Sequence, residues 1–188
     1  MIVFNNLKKD FAIIYLASGK AKLPFENVKY NDIKFNTDFQ CDMLEIDLSK
    51  FDLIIATPPC NFWSRANCNI YSDYSQKTKH LLPEILKKLG NLGKPYIVEN
   101  VINKKRMTAN GIFDICDLFN IKYIEHGRHS YFTNLDVEDI IKSVPQTQDF
   151  KYGGKFINKG SDRQGGDNVN NVFIEIINYL QNIKKGEK

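Results

Sequence analysis

Short apolar runs alternate with helix-like periodicity in the first two-thirds of the chain. Segments of strand character occur at 11–16, 52–56, 94–98 and 122–125, and weaker extended candidates lie at 27–33 and 39–46. Spacings of three and four between leucines and isoleucines predict a helix over 75–89, ending at Gly90, and a second helix over 111–119. Strands that alternate with helices predict βαβ units and therefore an α/β fold with a mostly parallel, Rossmann-like sheet.

The last third of the chain has a different pattern. Residues 135–162 are mixed in character and contain Pro145 and a Gly-Gly pair, which predicts a short irregular insert. Residues 171–183 (NVFIEIINYLQNI) regain helical spacing. A length of 188 residues fits one domain over 1–188.

The first predicted connection is unusually short. About ten residues separate the strand that ends near Leu16 from the one that begins near Asn27, whereas a parallel crossover takes roughly a dozen or more residues and usually contains a helix. Either these two strands are not parallel neighbours, or the first βαβ unit is truncated.

Composition excludes several classes of protein. With 43% hydrophobic and 26% charged residues the chain is an ordinary globular protein, and no apolar run is long enough to span a membrane. Four scattered cysteines do not form a disulfide framework or a zinc knuckle, so we expect no metal and a soluble, cytoplasmic protein. The net charge of +4 is compatible with phosphate contacts without arguing for them.

Two polar segments follow buried strands. Residues 57–64 (TPPCNFWS) come after the strand at 52–56, and Glu99-Asn100-Val101 come after the strand at 94–98. Because catalytic residues in parallel sheets lie beyond the carboxyl ends of the strands, we expect both segments at one edge of the sheet. Cys60 is a candidate nucleophile, although most free cysteines are buried and inert. Glu99 is a candidate general acid, although a lone glutamate is more often a solvated loop residue.

These segments resemble two motifs of the C5-cytosine DNA methyltransferases, especially the short phage-encoded kind found in restriction-modification systems. Family members carry Pro-Pro-Cys-Gln followed by a nearby serine, which stands here as 58–64 (PPCNFWS) with Asn61 in place of glutamine. The family's Glu-Asn-Val motif stands at 99–101, preceded by GKPYIV much as in the small phage enzymes.

Two later segments resemble the family more loosely. The Arg-x-Arg-x-Phe segment is similar to 128–132 (RHSYF), where Ser130 replaces the second arginine. The closing Gln-x-Gly-Asn-x-Val motif is similar to 163–169 (RQGGDNV). The resemblance extends roughly from Asp32 to Leu180.

The resemblance implies a covalent mechanism on a cytosine flipped out of DNA. The thiolate of Cys60 adds to C6 while Glu99 hydrogen-bonds or protonates N3, and C5 then takes a methyl group from S-adenosylmethionine. Arg128 helps to hold the base or a neighbouring phosphate. The resemblance further implies cofactor binding by Gly19, Asp32, Asp42, Pro58 and Asn168, and substrate binding by Pro59, Asn61, Ser64, Asn100 and Val101.

The chain departs from the family in two places. The glycine-rich loop that cradles the cofactor in the family has as its counterpart only 15–21 (YLASGKA), with a single glycine. The large recognition domain of the family is reduced to the insert at 135–162. We therefore expect low sequence specificity, a very short target site, or help from a second protein chain, including a second copy of this one.

Two alternatives stay open. A degenerate homologue would bind DNA or a protein partner without catalysis, which the missing glycine loop and Ser130 favour and the combination of Cys60 with Glu99 opposes. An enzyme that modifies a pyrimidine nucleotide would use the same cysteine addition on a different substrate.

Overall fold

The computed structural model describes residues 12–65, 69–145 and 165–183. Within them the chain forms two compact units that divide between Asp136 and Val137. The prediction of a single domain over 1–188 stays a prediction.

The first unit is built on a six-stranded sheet formed by the described residues. Its strands are β1 (Ile13–Leu16), β2 (Val28–Tyr30), β3 (Leu53–Ala56), β4 (Tyr96–Val101), β5 (Lys122–His126) and β6 (His129–Thr133). The strand order is β2-β1-β3-β4-β6-β5. Strands β1 to β4 are parallel, whereas β6 is antiparallel to both of its neighbours, β4 and β5. The predicted α/β fold with a mostly parallel, Rossmann-like sheet is confirmed at this level.

The described helices of the first unit are α1 (Asp73–Thr78), α2 (Leu81–Leu92), α3 (Lys104–Ala109) and α4 (Ile112–Phe119), with a 3-10 turn at Leu48–Lys50. Of these helices, α2, α3 and α4 contribute buried residues to an apolar core on one face of the sheet. The leucines and isoleucines that α2 buries lie in one apolar core with alternate residues of β1, β3 and β4. This burial of alternate strand residues against an amphipathic helix supplies the main apolar stabilisation of the unit.

The short first connection joins parallel neighbours. Ile13 of β1 pairs with Val28 of β2 in a parallel register, and residues 17–27 contain no helix. The chain then returns past β1 to form β3 on its other side. In open α/β sheets ligands bind outside the carboxyl ends of the strands where the order reverses in this way, which here is between β1 and β3.

Two predicted elements are wrong in extent. The extended segment over 39–46 has only a bridge between Phe39 and Asn31, because a turn interrupts it where the Asp42 carboxylate accepts the backbone N–H of Leu44. The helix over 75–89 is two helices, α1 and α2. Pro83 explains the break, since proline fits the first turn of α2 but not the interior of one continuous helix.

Other boundaries also differ from prediction. Helix α2 continues through Gly90 to Leu92 and ends at Gly93, which adopts the left-handed conformation (φ 69°) common after helix ends. Strand β4 extends to Val101, so Glu99 and Asn100 lie within the strand and not after it. The sequence pattern did not indicate β6, α3, or α5 (Glu138–Ser143), the last of which lies in the segment expected to be irregular.

Replacing Gly90 by alanine is expected to destabilise the first unit. A Cβ at Gly90 would lie 2.5 Å from Cγ and 2.8 Å from Cβ of Phe119, closer than real contacts allow. The overpacking cost of about 1–3 kcal/mol outweighs the gain of up to about 1 kcal/mol in helix propensity. Urea denaturation followed by circular dichroism measures the difference.

The matched control for this prediction is Gly93→Ala. In the part of the chain described, no atom lies within 4 Å of a Cβ at Gly93, so its cost comes from the positive φ alone. We expect Gly93→Ala to cost about 1–2 kcal/mol through its backbone conformation, without any packing change at Phe119. A Gly90→Ala protein as stable as the unmodified one would contradict the close packing of α2 on Phe119.

The second unit contains α5 and α6 (Gly165–Ile183), which pack on each other. Helix α6 begins earlier than the predicted 171–183 and buries one apolar stripe: Val169, Val172, Phe173, Ile176, Ile177 and Leu180. Most of the predicted insert, 146–162, lies outside the described residues, as does the side chain of Asn168 in the first turns of α6.

Candidate active site

Most of the predicted site residues lie along one edge of the sheet. We call this edge, where the parallel strands β1 to β4 end, the carboxyl rim. The predicted residues in or just after these strand ends, or beside the amino end of antiparallel β6, are Gly19, Asp32, Pro58, Pro59, Cys60, Asn61, Ser64, Glu99, Asn100, Val101 and Arg128. The expectation that the segments after β3 and in β4 share an edge follows directly from their parallel pairing.

Hydrogen bonds tie the segment after β3 to both neighbouring strands. The Thr57 backbone N–H donates to the Leu16 carbonyl at 3.1 Å, and its hydroxyl donates to the Ala17 carbonyl at 3.0 Å. On the other side, the Asn100 side-chain amide donates to the Pro58 carbonyl at 3.1 Å. Asn100 is completely buried, so the structure gives it the role of holding β3 and β4 together at the rim. Its contact with substrate stays a prediction.

A second set of hydrogen bonds shapes the turn after Cys60. The backbone N–H groups of Trp63 and Ser64 donate to the Cys60 carbonyl at 2.9 and 2.8 Å. From the start of α3, the Asn103 amide donates to the Trp63 carbonyl at 2.8 Å, and the Arg106 guanidinium donates to the carbonyls of Phe62 and Ser64. Sequence analysis missed Asn103 and Arg106. The sequence signal for Asn103 was an asparagine in a position to cap a helix. In the structure its side-chain oxygen accepts the backbone N–H of Arg106, three residues later.

Cys60 itself is exposed to solvent. It follows buried Pro58 and half-buried Pro59, which fix the backbone on its amino side, and its thiol is not in a disulfide. Cys116 is different, because burial, with a smaller contribution from Asp117, raises the pKa of its thiol to about 11. Of these two thiols, Cys60 has the exposure that a nucleophile needs.

Glu99 lies in a buried cluster of polar side chains on the sheet. Its side chain is 12% exposed, and its Oε1 lies 2.5 Å from Nδ1 of His129, whose side chain is 20% exposed. Burial raises the pKa of the Tyr15 hydroxyl. A hydrogen bond with Thr57 lowers this pKa in part, and the negative charge of Glu99 raises it further. Burial and the same charge raise the pKa of Tyr131, the residue directly opposite Glu99 in β6. Both tyrosines are therefore neutral groups near the Glu99 side chain.

Arg128 lies at the tip of the turn between β5 and β6. Its side chain is exposed, and the turn depends on Gly127, which has a φ of 61°. The residue of this segment that contacts Glu99 is His129. Ser130 is buried, and its hydroxyl donates to the carbonyls of Asn100 and Val101.

Of the predicted cofactor residues, Gly19 lies in the loop after β1, and Asp32 and Asp42 lie in the loop after β2. The Gly19 N–H donates to Oδ2 of Asp32 at 3.0 Å, and the Lys34 N–H donates to Oδ1 at 2.8 Å. Buried Asn31 joins these loops by accepting from Ala17 N–H and donating to the carbonyls of Phe39 and Cys41. Asp42 is farther along the chain and caps its own turn.

An exposed cluster of aromatic and basic side chains adjoins the loops of the rim. We call it the aromatic–lysine patch; its members are Lys20, Ile33, Lys34, Phe35, Tyr71 and Tyr74. Tyr71 is 82% exposed and Tyr74 41%. The Lys34 ammonium lies 4.4 Å from the centre of the Tyr74 ring, and the Lys20 ammonium lies 5.6 Å from that of Phe35. These contacts connect the loop after β1, the loop after β2 and helix α1.

Comparison with known proteins gives no match, either to a protein-family model or to a curated protein. Among the described residues, no group of three or more His, Cys, Asp or Glu side chains is placed to hold a metal ion. Within the same residues, no helix is long and apolar enough to cross a membrane.

Proposed function

We propose that the chain is a DNA cytosine-5 methyltransferase that uses S-adenosylmethionine. The observation that carries the proposal is the hydrogen bond from Asn100 to the Pro58 carbonyl. It joins the segment that presents an exposed cysteine to the strand that presents a buried glutamate. A thiol and a carboxyl group held on neighbouring strand ends are the two groups that addition to a pyrimidine ring needs.

The reaction begins with addition of the Cys60 thiolate to C6 of cytosine. As the sulfur–C6 bond forms, the C5=C6 electron pair moves towards C4, and N3 takes a proton from Glu99. C5 of the resulting enamine is nucleophilic, and S-adenosylmethionine would supply its methyl group by breakage of the methyl–sulfur bond, with S-adenosylhomocysteine as the leaving group. The C5 proton then leaves to water, N3 returns its proton to Glu99, and the sulfur–C6 bond breaks to restore the thiolate. Glu99 therefore acts at the point where negative charge develops on the base.

The residues around the β1–β3 switch point fit a nucleoside cofactor. In the part of the chain described, no atom lies within 4 Å of a Cβ at Gly19, so there is space for a ligand close to the backbone. Each oxygen of Asp32 accepts one backbone N–H, and a carboxylate oxygen has a second lone pair for a ribose hydroxyl. Gly19, Asp32 and Pro58 would hold the cofactor here.

The aromatic–lysine patch supports a nucleic acid as the substrate. Exposed aromatic rings on which bases stack, together with lysines near the phosphates, are the combination that binds unpaired strands. The patch connects the loop after β2 with α1, which follows the Cys60 segment in the chain. A base that flips out of the DNA double helix to reach Cys60 removes a stacking partner from the bases next to it. These neighbouring bases are the proposed ligands of the patch.

Replacing both Tyr71 and Tyr74 by alanine is expected to weaken DNA binding by about tenfold or more. Base–aromatic stacking contributes roughly 1–3 kcal/mol per base. The measurement is fluorescence anisotropy with a labelled single-stranded oligonucleotide at fixed salt. The matched control is Tyr179→Ala, whose side chain is 40% exposed on α6. Equal affinities for the double variant and the control would contradict a role of the patch in binding DNA.

The test of the proposed function is transfer of labelled methyl from S-adenosylmethionine to unmethylated DNA by the purified chain. We expect the label in 5-methylcytosine after digestion to nucleosides. Label on free cytidine nucleotides with none on DNA would instead support the pyrimidine-nucleotide enzyme. The absence of label on either substrate would overturn the enzyme assignment.

A non-catalytic DNA-binding homologue is the second candidate. The observation that favours it is the Gly19 N–H, which is already engaged by Asp32 and so is not directed at a ligand. This candidate predicts DNA binding without binding of S-adenosylmethionine, which isothermal titration calorimetry with each ligand distinguishes.

A further inference from the structure

We infer that His129 is the residue that orients Glu99 towards the base. This inference rests on the proposed function and adds to it a positioning residue for Glu99. Its basis is the 2.5 Å contact between Nδ1 of His129 and Oε1 of Glu99, both of which are largely buried.

The register of the sheet fixes this contact. His129 is directly opposite Val101 in the β4–β6 pair, and Glu99 is two residues before Val101. Side chains two residues apart in a strand point to the same face, so Glu99 and His129 are diagonal neighbours. Because both strands are held by backbone pairing, neither residue depends on a mobile loop for its position.

The contact constrains a side chain that otherwise has several rotamers. A glutamate has three side-chain torsions, and a hydrogen bond at one carboxylate oxygen removes most of the freedom of the other. A hydrogen bond with the imidazole also lowers the free-energy cost of burying the Glu99 carboxyl group. With Oε1 held by His129, Oε2 is the oxygen that faces N3 of the base.

His129 also has a part in the proton transfer. When Glu99 gives its proton to N3, the carboxylate that remains accepts a hydrogen bond from Nδ1–H of His129, and a hydrogen bond to an ionised group is stronger than one to a neutral group. The contact therefore strengthens as the adduct forms, which is the condition for lowering a barrier. Other titratable groups around Glu99 are Tyr15 and Tyr131, which stay neutral, and His126 lies opposite His129 in β5.

Arg128 lacks this geometry. Its side chain is exposed at the turn, and the sheet contact recorded for it is through its backbone carbonyl, which accepts from Ile102 N–H. In an antiparallel strand the neighbour of His129 cannot share its face. We therefore expect a replacement of Arg128 to lower the affinity for DNA and to leave the orientation of Glu99 unchanged.

The test compares His129→Leu with His129→Asn in the methyl transfer assay. Leucine removes the donor, and we expect kcat to fall by about 10- to 100-fold, the range of one hydrogen bond to a charged group, with KM for DNA changed less than about threefold. Asparagine places an N–H close to the position of Nδ1, and we expect it to restore most of kcat. His80→Leu, at the exposed start of α2, is the control with near-unchanged kcat.

Each outcome supports or overturns the inference. A His129→Leu protein with unchanged kcat overturns it and leaves the proposed function intact. A loss of kcat that asparagine does not restore, in proteins with unchanged thermal unfolding, also overturns the orienting role. Absence of methyl transfer by the unmodified chain overturns the proposed function, and the role of His129 with it.

Discussion

Replacing Cys60 by alanine is expected to lower methyl transfer by about 10⁴-fold or more. Without a thiolate at C6, C5 of cytosine does not become nucleophilic enough to take the methyl group, and removal of a nucleophile typically costs several orders of magnitude. The fold should persist, because the Cys60 side chain is exposed and the turn after it is held by its backbone carbonyl. Steady-state transfer of labelled methyl to DNA measures the effect.

The control for this prediction is Cys116→Ala, which removes a buried thiol of α4. We expect a modest loss of stability and full activity relative to the folded protein. Retained methyl transfer in Cys60→Ala would exclude Cys60 as the nucleophile. Loss in both variants would indicate that activity reports stability and not chemistry.

Glu99→Gln is expected to lower kcat by about 10²- to 10⁴-fold. The amide has nearly the same shape but cannot give a proton to N3, which is the contribution of a general acid. It also leaves the buried His129 without a carboxylate partner. Because binding of DNA depends mainly on phosphate contacts, KM for DNA should change little. Single-turnover kinetics separates the chemical step from binding.

The matched control is Glu125→Gln on β5. That carboxylate accepts from the Tyr123 hydroxyl at 2.6 Å and pairs with Lys104, and these contacts keep its pKa below the usual range. The ion pair between Glu125 and Lys104 lies near the surface and contributes little to stability, so we expect near-normal kcat for Glu125→Gln. A Glu99→Gln protein as active as this control would contradict the role of Glu99.

The parallel sheet was predictable because buried strands carry continuous apolar runs. Residues 52–56 ended by two prolines gave β3, and the same reasoning placed Cys60 and Glu99 on one edge. Strand β6 was not predicted because its sequence, HSYFT, mixes polar and aromatic residues. Its polar side chains find their hydrogen-bond partners in β4, which is distant in the sequence. Ser130 binds the Asn100 carbonyl, and the Thr133 hydroxyl binds that of Tyr96.

The site was predictable only in part, for the same reason. The sequence motifs identified the candidate reactive groups, Cys60 and Glu99, but not the residues that hydrogen-bond to them or to the adjoining turn. Asn103 and Arg106 contact the Cys60 turn from about 40 residues away in the chain. His129 was not predicted, because only the register of β6 decides which of its residues lies on the same face of the sheet as Glu99. No local pattern encodes a contact of this kind.

The most direct test of the central claim is covalent trapping on DNA that contains 5-fluorocytosine. After methyl transfer to such a base, C5 carries fluorine where it would carry a proton, and the sulfur–C6 bond cannot break by loss of that proton. The account predicts a stable protein–DNA complex that forms only with S-adenosylmethionine and whose modified peptide maps to Cys60. Absence of a complex with DNA and cofactor in excess, or a complex that maps to another cysteine, would contradict it.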